Sequence, residues 1–268
     1  MESLLAKNDM IGDGMGISVC LITKNEESDL ARSLEMISPY FDEIVIVDGQ
    51  SEDKTVEIAE AFGAVVIQRE FSGSFAIERN YGIERAQNEW VFVLAPDEIL
   101  EPKFLQMLRA LTSSKEYDAY SFLRYDVLPD GTVLETPSGH PEIHVRLAKK
   151  DRLRYYGAIH EKAVVDGKIK FIPEVIYHHR GYFEDYPQEK KERFDAIGRD
   201  ASSDLQGLNI SSRALFVRNV KLVFHYFRNM LVGMKLYRRG PSGIIRAIRY
   251  TYSFASYGLK QYIRLGQI

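Results

Sequence analysis

Four short apolar runs, residues 17–22, 43–47, 64–67 and 90–94, alternate with three stretches whose apolar side chains recur at helical spacing. The first stretch, 26–37, sets Leu30, Leu34 and Ile37 on one face and closes before Pro39. The second opens at Asp53, carries Val56, Ile58, Ala59 and Phe62 and stops at Gly63, and the third runs from Ser74 to Ala86. Strands separated by helices of this length form a mostly parallel sheet covered on both faces, an α/β fold. In open sheets of this kind the ligand crevice lies beyond the carboxyl ends of the strands. No fixed-period repeat competes with that pattern. Residues 1–16 show no period and read as a loose leader.

The strand ends carry the polar residues. Thr23-Lys24-Asn25-Glu26 follows the first run, and Asp48-Gly49-Gln50-Ser51-Glu52-Asp53-Lys54-Thr55 follows the second. Both turns lead into helices, so Asn25, Ser51 and Asp53 have side chains suited to capping, each worth about 1 kcal/mol. Asp48, before a flexible glycine, is also placed to accept from the NH and OH groups of a base or ribose. Arg79 and Asn80, on the third helix, reach the same crevice, and Arg79 offers a planar donor to a diphosphate or base. The fourth run passes through Ala95-Pro96 to Asp97 and Glu98. Carboxylates at the tip of a buried strand are costly unless something positive meets them.

Residues 117–176 read as shorter alternating strands, 120–125, 143–147 and 168–171, around the hairpin signal Leu128-Pro129-Asp130-Gly131-Thr132. His178-His179 ends a further apolar stretch, where one imidazole is either packed or a ligand of the kind manganese and zinc accept. The chain thus divides into a leader (1–16), two halves of one domain (17–114 and 115–204) and an extension (205–268), which suits 268 residues.

Charge separates that extension from the rest. The net charge is −3, yet after Asp204 there are 11 basic residues and no acidic one, so residues 1–204 hold 24 of the 35 basic residues against all 38 acidic ones, or −14. Arg218, Lys221, His225, Arg228 and Lys235 share one helical face, against Phe216, Val220, Val223, Phe227, Met230 and Met234. Beyond Gly240-Pro241 the design repeats, with Arg246, Arg249, Lys260 and Arg264 against Ile245, Ile248, Tyr252 and Leu259. Two cationic amphipathic helices suit an anionic membrane surface, or pack on the core with a solvated basic face. A body of −14 repels phosphate chains, so no nucleic-acid partner is expected. The single Cys20 permits no intramolecular disulfide, no run of about 18 apolar residues is present, and no basic-then-apolar signal opens the chain. The expected setting is cytoplasmic, with any membrane contact peripheral.

The Thr-Lys-Asn-Glu turn, the segment 47–55, Arg79-Asn80-Tyr81-Gly82-Ile83 and the apolar strand ending in Asp97-Glu98 stand in the order and spacing of a known family. Residues 17–98 resemble the nucleotide-sugar-binding half of family 2 glycosyltransferases. The shorter match Gly157-Ala158-Ile159-His160-Glu161 resembles the His-Glu motif of a branch that includes lipopolysaccharide-core glucosyltransferases, although such a pair alone is as readily a surface feature.

The resemblance implies the GT-A fold, a Rossmann-like nucleotide-binding sheet with a mixed extension, followed by C-terminal amphipathic helices. It implies inverting transfer of a sugar from a nucleoside-diphosphate donor, a UDP-sugar first among them, to a lipid-linked or cell-surface polysaccharide acceptor at the inner face of the plasma membrane. Thr23, Asn25, Glu26, Asp48, Ser51, Arg79 and Asn80 would line the donor site. Asp97, with His179, would hold a divalent ion, Mg2+ or Mn2+, weakly without donor. Glu161 would take the acceptor proton, His160 would orient it or contact phosphate, and Glu98 is the other candidate base, better placed to orient the metal site.

The family's Asp-x-Asp element here reads Ala95-Pro96-Asp97. Three readings stay open: a relaxed metal site, a metal-independent transferase using basic side chains, or a catalytically silent protein that binds a nucleotide sugar or scaffolds other enzymes at the membrane. A sugar nucleotidyltransferase is disfavoured, because no Gly-rich loop follows the first run.

Overall fold

The computed structural model describes residues 15–131, 133–134, 142–157 and 161–179, with the single positions 192, 241 and 245. The first half of the described chain is β1 (Ile17–Thr23), α1 (Glu27–Ile37), β2 (Glu43–Asp48), α2 (Thr55–Ala61), β3 (Val65–Gln68), α3 (Phe75–Arg85) and β4 (Trp90–Val93). Then follow β5 (Glu98–Leu100), α4 (Pro102–Thr112), β6 (Ala119–Val127), β7 (Val133–Leu134), β8 (Glu142–Lys149), β9 (Leu153–Tyr156), β10 (Lys162–Val165) and β11 (Ile169–His179). The main sheet has the order β3-β2-β1-β4-β8-β6-β11-β5, with β7 paired to β6. β1 runs parallel to β2 and β4, and β2 to β3, while β8 is antiparallel to β4 and β5 to β11. A parallel nucleotide-binding half with a mixed extension is the GT-A architecture expected from the sequence. The amphipathic helices expected over 213–264 and the leader 1–14 lie outside the described residues.

Two units divide the chain, residues 1–124 with 143–179, and residues 125–142 with 180–268. In the second, the described residues form the end of β6 and its hairpin partner β7, joined through Asp126↔Leu134 and Val127↔Val133. Everything that follows concerns the first.

Side chains alternate across a strand, and here both faces of the central strands are covered, which is why those strands are apolar throughout. Val19 and Leu21 of β1, Ile44 and Ile46 of β2, and Phe92 of β4 pack with Leu30, Leu34 and Ile37 of α1 and Phe104, Leu105 and Leu108 of α4. The intervening Cys20, Val45, Val91 and Val93 face the other way, onto Ala76 and Ile83 of α3 and onto Leu153 and Tyr155 of β9. Gly82 permits the approach of α3 to the sheet, since a Cβ there would lie 3.1 Å from Val47 Cγ2. The parallel registers Thr23↔Asp48 and Cys20↔Val93 bring the ends of β1, β2 and β4 together.

The structure adds elements the sequence reading left out. α4 begins with Pro102 at its first turn and carries Phe104, Leu105 and Leu108 at helical spacing, a signal present in the sequence. β5 is only three residues long, too short for any periodicity. Residues 169–179, which Pro173 interrupts in the sequence, form one continuous strand, and it pairs with β5 over Ile176–His178, beyond that proline. β9 and β10 make a separate antiparallel pair.

Phe92 has no exposed surface, and its ring centroid lies 5.7 Å from that of Phe41 and 6.2 Å from those of Phe104 and Phe122. Phe92→Ala leaves a cavity that these rings cannot jointly fill. It is expected to destabilise the fold by about 3–5 kcal/mol, read from the midpoint of urea unfolding.

Candidate active site

The turns after β1 and β2 are locked to each other. Asp48 has no exposed surface. Its Oδ1 accepts from Thr23 Oγ1 at 2.8 Å and from Ser51 Oγ, and its Oδ2 accepts from the Ser51 N–H at 2.8 Å. An enclosed carboxylate with three protein donors holds a turn, so the expectation that Asp48 offers its oxygens to a base or ribose is corrected. Ser51 Oγ in turn accepts the Asn25 N–H, and Asn25 Oδ1 accepts the Glu52 N–H, each at 2.8 Å.

The capping expected of Asn25 and Ser51 is replaced by an exchange between the two helices. The N-cap positions Glu26 and Lys54 carry no side-chain cap. Instead Thr55 Oγ1 accepts the Glu26 N–H at 2.8 Å, Asp53 Oδ2 accepts the Glu27 N–H at 3.2 Å, and Glu27 Oε2 accepts the Lys54 N–H at 3.1 Å. Each turn therefore satisfies the open amides of the other's helix. Asn25 and Gln50 adopt φ of 53° and 61°. The left-handed region is easy for Asn but costs a residue such as Gln energy, which these cross-links supply.

A second cluster joins α3 to β9 and to the residue before β10. Arg79 Nε lies 2.6 Å from Glu161 Oε1, with side-chain exposures of 11% and 15%. Burial pushes the Glu161 carboxyl up, but the charge and hydrogen bond of Arg79 outweigh it and hold the group below the ordinary glutamate range. Arg79 Nη1 is buried with no hydrogen-bond partner among the described residues, and Arg79 lines a narrow cleft between β1, Val93 and α3. Asn80 is a scaffold residue. Its Nδ2 donates to the Tyr155 carbonyl and its Oδ1 accepts the Tyr155 N–H, both at 2.8 Å, so the amide ties α3 to β9. His160 lies outside the described residues.

The third cluster is the turn between β4 and β5. The Glu98 N–H donates to the Ala95 carbonyl at 3.1 Å, and Glu98 Oε2 accepts the Ala95 N–H at 2.9 Å. Glu98 Oε1 receives Arg146 Nη2 of β8 and lies 4.0 Å from Arg124 Nη1 of β6. Glu98 has no exposed surface and Arg146 has 5%. A carboxylate so enclosed cannot reach an acceptor hydroxyl, so Glu98 is corrected from candidate base to structural anchor. Asp97, the next residue along, keeps 27% of its side chain exposed.

The histidine beside Asp97 is His178, whose Nε2 is 3.2 Å from Asp97 Oδ2. His179 was expected there. Its backbone N–H meets Asp97 instead, donating to the carbonyl at 2.8 Å. Burial, helped by the Arg32 guanidinium, pushes the His179 ring down. Among the described residues no three His, Cys, Asp or Glu side chains converge as a metal cage. A partly exposed carboxylate and an imidazole still fit a divalent cation that takes its remaining ligands from water and diphosphate oxygens.

The second and third clusters adjoin, since Arg79 feels the charge of Glu98 and Glu161 that of Arg146. Arg146 and Arg124 were not foreseen. The sequence signal for them was the cost of burying Glu98, which demands a cation without saying which one.

Residues 18–183 match the family model described as Glycosyl transferase family 2. An uncharacterised glycosyltransferase of Rickettsia typhi is 33% identical over 104 residues, covering 39% of this chain and 35% of its own length. One of Rickettsia felis is 26% identical over 181 residues, covering 62% of each chain. The chain thus spans less than two thirds of these relatives. Staphylococcus aureus TarS 1-349 is a structural neighbour at 14% identity and a TM-score of 0.45, covering 91% of each chain.

Removing one member of the Arg79–Glu161 pair separates its contributions. Arg79→Met strands a buried carboxylate and is expected to cost about 3–5 kcal/mol, whereas Glu161→Gln keeps a neutral acceptor and costs less. Because the folded Glu161 carboxyl is held below its unfolded value, its stabilisation is present at neutral pH. It is lost as pH falls through the depressed folded value. Urea midpoints measured down to about pH 3 should therefore fall less steeply in Glu161→Gln than in the parent.

Proposed function

The chain belongs to glycosyl transferase family 2, and from that membership we propose that it moves a sugar from a nucleoside-diphosphate donor to an acceptor hydroxyl with inversion. A UDP-sugar is the first candidate donor. The observation that carries the reading is Asp97, whose partly exposed carboxylate stands at the joined ends of the parallel strands with His178 beside it. The acceptor hydroxyl attacks the anomeric carbon from the face opposite the diphosphate. As the new C–O bond forms, the bond to the departing diphosphate breaks and Glu161 takes the hydroxyl proton.

A divalent ion, Mg2+ or Mn2+, would supply positive charge for the leaving diphosphate, with Asp97 and His178 as the residues to hold it. Arg79 adds a second positive group, and its Nη1, unpartnered among the described residues, supports that role. Glu161 is a weak base while Arg79 holds it. A diphosphate that draws on the same guanidinium weakens this hold, so donor binding strengthens the base.

The basic stretch 213–264 supports a lipid-linked or cell-surface polysaccharide acceptor, reached from the cytoplasmic face of an anionic membrane. The His160-Glu161 pair supports the branch resembling lipopolysaccharide-core glucosyltransferases. Among the described residues no helix is long and apolar enough to cross a membrane. One observation favours a second reading, a silent nucleotide-sugar-binding or scaffold protein: Ala95 stands where the family has its first carboxylate.

Calorimetric titration with UDP, GDP, CDP and dTDP, each with and without Mn2+, separates the readings. The expected outcome is Mn2+-dependent binding of one nucleotide, weakened in Asp97→Asn by more than the about 10–100-fold typical of losing an outer-sphere partner. Binding that ignores the metal moves the diphosphate to Arg79. No binding of any of the four leaves the scaffold. With the donor class known, Glu161→Gln should lower kcat by about 10²–10⁴-fold, and an unchanged kcat removes Glu161 as the base.

A further inference from the structure

We propose that Arg146 is a positioning residue that fixes the Asp97 carboxylate by holding Glu98, an inference that rests on the transferase reading above. The turn 95–98 has few constraints of its own beyond the fixed φ of Pro96. What closes it is Glu98, which donates its N–H to the Ala95 carbonyl at 3.1 Å and accepts the Ala95 N–H on Oε2 at 2.9 Å. Both bonds of the loop therefore pass through one residue. The second of them needs the Glu98 carboxyl group oriented at a place with no exposed surface.

Arg146 meets that need. It lies on β8 beside the end of β4, where the register pairs Phe92 with Leu147. Its Nη1 reaches the Val93 carbonyl at 3.4 Å, and its Nη2 binds Glu98 Oε1. The guanidinium thereby spans the last residue of β4 and the first of β5, the two ends of the segment that presents Asp97. Arg124 Nη1, 4.0 Å from the same oxygen, adds charge at longer range. On the far side the His179 N–H fixes the Asp97 carbonyl at 2.8 Å. With Ala95 in place of a carboxylate, the turn offers a cation one anionic ligand instead of two. The position of that ligand therefore matters more here than in a site where a second carboxylate shares the task.

The planar fork of arginine does what lysine cannot, because two of its nitrogens point at two acceptors at once. Arg146→Met is accordingly expected to speed hydrogen exchange at the Ala95 amide while amides of β1 keep their parent rates. It should also weaken Mn2+-dependent UDP binding by about 10–100-fold, and saturating Mn2+ should recover kcat while the KM for donor stays raised. Arg146→Lys should recover less than half of the lost affinity.

A folded Arg146→Met protein with parent exchange at Ala95 and parent UDP affinity overturns the proposal. If that variant does not fold, the paired variant Glu98→Leu with Arg146→Met, which buries no lone charge, takes its place. It is expected to fold and to lose UDP affinity by the same factor, and parent affinity in it overturns the proposal equally. Should the parent protein bind no nucleotide at all, the transferase reading fails by itself. Exchange at Ala95 then still decides whether Arg146 holds the turn.

Discussion

An ionised carboxylate taken out of water must find donors for its oxygens or give up its charge. The ends of this sheet are organised around two such groups. Asp48 and Glu98 both have no exposed surface. Asp48 gathers Thr23 and Ser51, tying the turn after β1 to the turn after β2. Glu98 gathers the Ala95 N–H and Arg146, tying β4, β5 and β8 at one corner. The parallel strands deliver backbone ends to one place, and these two anions decide the conformation those ends take. Loops that would otherwise be loose are held by charge-assisted bonds, roughly twice as strong as neutral ones.

The sequence reveals the apolar half of this arrangement well. Periodicity finds β1 to β4 and the three helices between them because burial on both faces makes β1, β2 and β4 continuous apolar runs and leaves each helix a single stripe. It also shows where polar turns fall, and so points to Thr23, Asp48, Ser51 and Asp97, while Arg79 is marked on the third helix and Glu161 only by the family resemblance. It does not show which of these a ligand would meet. Asp48 and Asn80 are the right residue types in the right places, yet both make hydrogen bonds that hold the protein together. Local capping propensity cannot anticipate that Asp53 and Glu27 each serve the neighbouring helix, since that depends on the register between β1 and β2.

The histidine correction has the same origin at its smallest scale. His178 and His179 are equivalent as text, but a strand has a period of two, and one step along β11 exchanges the side that faces Asp97 for the side that does not. The pairing of His178 with Glu98 would set His179 beside Asp97, but Asp97 lies in the turn before β5 and its carboxylate reaches His178 instead. Arg146 was hidden for a related reason: it lies on a strand read as alternating, and the strand it must reach, β5, is too short to be read at all.

The Arg79–Glu161 pair links two regions that the proposed chemistry needs at different moments. Arg79 belongs to the helix packed on the parallel strands, and Glu161 is the residue just before β10. A pair this enclosed is poor evidence of stability gained, because desolvating both charges offsets much of their attraction. A well-packed apolar pair would hold α3 to the β9–β10 ladder as firmly. What an apolar pair could not do is respond to a dianion. Arg79 retains a buried Nη1 without a hydrogen-bond partner among the described residues, on the same guanidinium whose Nε holds Glu161. A phosphate oxygen approaching that guanidinium draws on the charge that Glu161 now shares. On the proposed function, donor binding would free Glu161, so the acceptor proton would have a place to go only once there is a leaving group to depart.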